Sequence, residues 1–145
     1  MRSIIIIIAT LLPITALTQE KKSFKIDDLI ALRDSNIEKA HEFLKSRYFD
    51  FIRKEENCCY YFAVNYNKYT DTAALWTYKY IDGRVKVLQG GEAELLFFIK
   101  DQLQPYKIGM EFTGEGWVET EYKYRNHYIT FRENDVLSKY ELYID

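Results

Sequence analysis

Residues 74–87 read Ala74-Leu75-Trp76-Thr77-Tyr78-Lys79-Tyr80-Ile81-Asp82-Gly83-Arg84-Val85-Lys86-Val87, and their reading decides the fold. Asp82-Gly83 is a two-residue hairpin signal, because both central positions of a type I′ turn need positive φ. Folding the chain about it opposes Tyr80 to Val85 and Tyr78 to Val87, so apolar side chains meet on one face. Ala74, Trp76, Tyr78 and Tyr80 then alternate with Leu75, Thr77 and Lys79, the period of a half-buried strand.

Working upstream, residues 57–66 carry Cys58, Tyr60, Phe62, Val64 and Tyr66 at alternate positions and read as a strand. Residues 48–54 form another, with Phe49 and Phe51 on one side. Before them the period becomes helical. Ile26, Leu29 and Ile30 mark a short helix, and Ser35-Asn36-Ile37-Glu38 reads as a capping box led by Ser35. A second helix follows, with Ile37, Ala40, Phe43 and Leu44 on one face, ending near Arg47.

Downstream, Gly90-Gly91 breaks the strand pattern, and residues 92–103 are helical with Leu95, Leu96, Ile99 and Leu103 as their stripe. Pro105 ends that helix. Tyr106, Ile108, Met110 and Phe112 alternate with Lys107, Gly109 and Glu111 in the next strand, with Met110 and Phe112 expected on the same side as Thr120 and Val118. Residues 118–124 and 127–132 pair about Arg125-Asn126. That pairing opposes Tyr122 to Ile129 and Thr120 to Phe131 on one face, and Glu119 to Arg132 on the other. A last strand carries Tyr140, Leu142 and Ile144.

The order is helix and about four strands, then helix and about four strands. It predicts an α+β class, with two pseudo-repeated halves at about 26–89 and 90–145 and an antiparallel sheet with helices on one face. Residues 40–46 and 95–101 align loosely, both as a helix end entering a strand. The halves are expected to join in one long curved sheet, two separate small sheets being the other arrangement.

The N-terminus has its own signature. Met1-Arg2-Ser3 carries one positive charge, an apolar run extends from Ile4 to Leu12, and Ala16-Leu17-Thr18 precedes Gln19. That is the order of a secretory signal peptide over residues 1–18, too short for a membrane anchor. Cleavage after Thr18 leaves residues 19–145 as a single α+β domain, exported to a periplasmic or extracellular space. No second apolar segment of membrane length follows, so no transmembrane anchor is expected after cleavage.

The chain has 145 residues and a formal net charge of −2, with both signs mixed along it. It lacks the basic stripe that nucleic-acid binding needs, which excludes that class. Aromatic residues make up 17% of the chain, 13 of them Tyr. Tyrosine can bury its ring and keep its hydroxyl wet, which suits half-buried sheets and contact surfaces alike.

Catalytic signatures are missing: there is no nucleophile elbow, no phosphate-cradling glycine loop and no zinc-protease helix. His41 reads as a helix-surface residue and His127 as a hydrogen-bonded structural residue opposite Tyr124. Neither stands at metal-ligand spacing, so no metal and no cofactor is expected. Cys58 and Cys59 are the only cysteines. Adjacent strand residues point to opposite faces, which leaves Cys58 packed inside beside Tyr60 and Phe62 and Cys59 on the other face. A vicinal disulfide, or a bridge through Cys59 to another chain, is the other reading. Glu55-Glu56 and Glu119/Glu121 read as surface charge.

Three aromatics break from the core pattern. Trp117 falls at a glycine-flanked hairpin tip, and Tyr61 and Tyr143 share a sheet face with Asn65, Glu141 and Asp145. These three are the candidate binding residues, against a reading in which they simply cover sheet surface. The expected function is an exported, non-enzymatic binding domain whose partner is a protein or envelope component. The alternative is an inhibitor or immunity-type protein acting on an envelope or secreted enzyme. An enzyme with a pocket between the halves is the remaining class.

Overall fold

The computed structural model describes residues 25–90 and 94–145. The leader expected over residues 1–18 and the first two residues of the helix expected over 92–103 therefore lie outside the described residues. Among the described residues the fold is α+β, with three α-helices and one antiparallel sheet of eight strands. Two helices open it, α1 (Ile26–Asp34) and α2 (Ile37–Ser46), followed by β1 (Asp50–Glu55), β2 (Cys59–Val64), β3 (Leu75–Tyr80) and β4 (Val85–Gly90). Then come α3 (Glu94–Leu103), β5 (Lys107–Thr113), β6 (Trp117–Tyr124), β7 (His127–Asn134) and β8 (Lys139–Ile144). Strand order is β1-β2-β3-β4-β8-β7-β6-β5, so two meanders meet where β4 pairs with β8. One continuous sheet forms, not two.

The helices stop and start by side-chain chemistry. Asp28 accepts from the Lys25 amide at 2.9 Å and satisfies one of the orphan donors at the start of α1. The cap of α2 is Asn36, whose Oδ1 accepts from the Lys39 amide at 2.9 Å. Ser35 does not cap it. Its hydroxyl donates back to the Leu32 carbonyl at 2.8 Å and closes the end of α1 instead. The capping-box reading was thus one residue early, because Ser and Asn stand side by side and either can cap.

One hydrophobic cluster joins Leu29 and Leu32 of α1, Ala40 and Leu44 of α2 and Leu96, Ile99 and Leu103 of α3 to the sheet. Its strand residues lie in cross-strand rows: Phe62, joined through Thr77 to Val87, Leu142 and Phe131, forms one row, and Val85, Ile144, Ile129 and Tyr122 the next. Partners in register share a face, so this is the core face. The expected pairs Tyr122–Ile129, Thr120–Phe131 and Glu119–Arg132 are all present.

The central hairpin departs from its expected register. Lys79 lies opposite Val85, Tyr78 opposite Lys86 and Thr77 opposite Val87. The loop is three residues, Ile81-Asp82-Gly83, closed by a bond from the Tyr80 amide to the Arg84 carbonyl at 2.9 Å. Gly83 takes φ +101°, the left-handed residue that such a loop requires. A one-residue slip turns every side chain over. Leu75, Thr77 and Lys79 therefore face the core, and Trp76, Tyr78 and Tyr80 face away.

Lys79 is consequently 4% exposed. Its ammonium donates to the Arg33 and Gly83 carbonyls, capping the C-terminal end of α1. Burial, then the nearby Arg33 charge, lowers its pKa from the usual 10.5. A small cavity of about 270 Å³ opens beside it, lined by Ser35, Asn36, Ile37 and Tyr60 among others.

Edge strand β5 departs too. A bulge at Ile108 interrupts its register with β6, and Ile108, Met110 and Phe112 are exposed, Phe112 by 80%. None of the three belongs to the core cluster, so the alternation there marks a strand without marking a core.

Candidate functional site

The face of the sheet opposite the core carries a band of rings and paired charges. It follows from the β3 register. Tyr78 and Trp76 lie on the same side as Tyr61, their ladder partner and neighbour on β2. Tyr61 meets Tyr78 edge-on at 4.9 Å between centroids and Trp76 at 6.5 Å, and Tyr66 meets Trp76 at 5.4 Å. Such edge-to-face packing is the preferred aromatic geometry. Arg53 of β1 lies over this cluster, 4.7 Å from Tyr61 and 5.9 Å from Trp76, and its guanidinium is fixed by Asp71 at 3.1 Å. Tyr66 donates to the same Asp71 at 3.0 Å.

At the centre of the sheet the band turns polar. Lys86 stands between Tyr78 (5.7 Å) and Tyr143 (4.9 Å), its ladder partners on β3 and β8. Glu141 is 9% exposed. It accepts from the Tyr143 hydroxyl at 2.5 Å and from Arg132 Nη1 at 3.0 Å, with Lys86 Nζ at 3.4 Å. Burial alone would raise its carboxyl, but the Tyr143 hydroxyl, Lys86 and Arg132 outweigh that and hold it below the ordinary glutamate value. Tyr143 is shifted up by burial and by its bond to Glu141, so it stays a donor.

Arg132 carries the band to its far end. Its Nε donates to Glu119 Oε1 at 2.7 Å, and its guanidinium lies 4.7 Å over the Trp117 ring. Trp117 is the first residue of β6, half-buried beneath Arg132. The preceding turn has left-handed Glu115 (φ 65°) and Gly116 (φ 78°). Buried Asn134 donates to the Glu115 carbonyl at 2.9 Å and fixes that turn from below.

The three aromatics expected to bind thus sit on one face. Tyr61 and Tyr143 connect through Tyr78 and Lys86, and Tyr143 and Trp117 through Glu141 and Arg132. Sequence reasoning missed Trp76, Tyr78, Lys86, Arg53 and Arg132 as members. Reading Gly83 as the third residue of a bulged turn would have placed Trp76 and Tyr78 on this face. The two histidines stand apart from the band. His41 is an exposed helix residue whose ring packs on Phe51 and Phe62, at 5.7 and 5.6 Å. His127, opposite Tyr124, has Nε2 3.8 Å from Asp34.

The cysteine expectation is corrected. Cys59 is the buried residue, 1% exposed, while Cys58 is half-buried in the β1–β2 turn. The two are joined in a vicinal disulfide. Cys58 lies outside the strand, so the opposite-face rule that separated the sulfurs does not apply to it.

Among the described residues no helix is long and apolar enough to cross a membrane. Comparison with family models, curated proteins and solved structures finds no match to this chain.

Proposed function

We propose that this is an exported, non-enzymatic binding domain that recognises a protein or envelope component with the sheet face opposite its core. The observation that carries the reading is the Tyr61–Trp76–Tyr78–Lys86–Tyr143–Glu141–Arg132–Trp117 band. Its rings are seated edge-on and its cations stacked and salt-bridged in advance of any partner. Side chains already ordered lose little entropy on binding, and Trp, Tyr and Arg are the residue types that dominate contact energies. In this reading two helix-plus-four-strand halves place their helices on one face and leave the other free. Export is supported by the leader and by the Cys58–Cys59 disulfide, which suits an oxidising compartment.

A second reading is an inhibitor or immunity-type protein for an envelope or secreted enzyme. The rigidity of the band favours it, because preorganised surfaces give the tightest complexes. A neighbouring gene for a secreted hydrolase or toxin would support it.

One experiment tests the main reading. The protein is used as bait against its own envelope fraction and culture fluid, beside Trp117→Ala and Tyr61→Ala. A partner retained by the wild type and lost by both variants, at unchanged thermal stability, is the expected result. Equal retention by both variants would refute the face assignment.

A further inference from the structure

We propose that Glu55, Cys58 and Cys59 form a redox-gated site for one thiophilic metal ion. The three stand at the β1–β2 turn, outside the band just described. Glu55 lies directly across the ladder from Cys59, and the Cys58 amide donates to the Glu55 carbonyl at 3.3 Å, which closes the turn. A carboxylate oxygen of Glu55 and the two sulfurs all fall within 4.8 Å of one another.

In the disulfide the sulfurs bear no thiolate and hold no metal. Reduction by a small-molecule or protein dithiol breaks the S–S bond. Two electrons and two protons pass to Cys58 and Cys59, and the reductant's own two thiols close to a disulfide. The product is a pair of adjacent thiols with a carboxylate alongside. Two thiolates and a carboxylate form an anionic set matched to Zn²⁺ or Cd²⁺, with the fourth tetrahedral position left for water. Binding releases the two thiol protons to solvent. Since the ion binds the dithiol and not the disulfide, it holds the pair reduced by mass action. Cys59 is buried and Cys58 half-buried, so an ion here is reached from the Cys58 and Glu55 side, Glu55 being exposed.

The test reduces the protein anaerobically, removes the reductant and titrates Cd²⁺, reading the thiolate-to-metal charge-transfer band in the ultraviolet. One Cd²⁺ per chain is expected. The oxidised wild type, which serves as a thiol-free control without any substitution, is expected to take up none. Cys58→Ser should lose the band, and Glu55→Gln should weaken binding about tenfold. A reduced protein that shows no band with Cd²⁺, or a Glu55→Gln variant that binds as tightly as the wild type, overturns the proposal.

Discussion

Arg132 lies over Trp117, its guanidinium carbon 4.7 Å from the ring centroid. The same guanidinium bonds Glu119 at 2.7 Å and Glu141 at 3.0 Å, so one side chain links a ring on β6 to carboxylates on β6 and β8. A planar fork can do this and a point charge cannot. Arg132→Lys should therefore lose about 1 kcal/mol in urea denaturation, although it keeps the charge. A variant as stable as the wild type would show that the bridging is incidental.

Glu141 sets a pH dependence. Its carboxyl is held below the ordinary value of 4.5 in the folded protein. A depressed carboxylate contributes stability that is fully present above the unfolded value and lost as pH falls through the folded one. Glu141→Gln should cost about 2 kcal/mol at neutral pH, where it strips Lys86 and Arg132 of their shared partner. The difference should shrink below pH 4.5. Denaturation curves of the two proteins measured across the acid range check this, and a constant gap would contradict it.

Gly83 holds the register of the central hairpin at φ +101°, where a Cβ is strained whatever the space around it. Gly83→Ala should lower stability by about 1 kcal/mol, a drop of several degrees in Tm. Its carbonyl also receives the Lys79 ammonium, so the loss includes some loosening of the α1 terminus. A Tm matching the wild type would mean that the loop is not the bulged turn described here.

Phe112 tests the edge. At 80% exposure on a bulged outer strand it contributes almost nothing to the core. Phe112→Lys should leave the unfolding free energy within about 0.5 kcal/mol of the wild type. It should also reduce self-association in light scattering at high concentration, since charge on an edge strand opposes pairing. A loss of 2 kcal/mol or more would place the ring in contacts not seen here.

How far the chain could be read depends on how local each feature is. The β6–β7 hairpin came out in its full register because Arg125-Asn126 is a two-residue turn between strongly patterned strands. β8 read correctly because Tyr140, Leu142 and Ile144 alternate with residues that bond on the other face. The Asp82-Gly83 hairpin failed for a specific reason. Gly after Asp serves a two-residue turn and a three-residue bulged one equally, and the two differ by one residue in register. Tyrosine gave no arbitration, since its ring accepts either face. The true register buries Lys79, whose ammonium is met there by the Gly83 carbonyl and by the Arg33 carbonyl, 46 residues away.

The candidate site shows the same division. Trp117, Tyr61 and Tyr143 were visible as aromatics outside the core pattern, yet nothing local connected them. Their connection runs through Lys86, Glu141 and Arg132, and it exists because β4 pairs with β8 and brings the two meanders together. Cys58 and Cys59 were assigned by strand alternation, which held for Cys59 and failed for Cys58, where the strand had already given way to a turn.

By itself the sequence determined the class, the number and kind of segments, and the hairpins whose turns allow one geometry. These are decided by φ/ψ preference and by periodicity over a few residues. Only the tertiary structure decided which face of β3 is inside, that β5 has no cover, and that the two meanders share one sheet. Those outcomes depend on where helices land and on which distant carbonyls and carboxylates meet a buried charge. Such energies exist only once residues far apart in the chain are brought into contact.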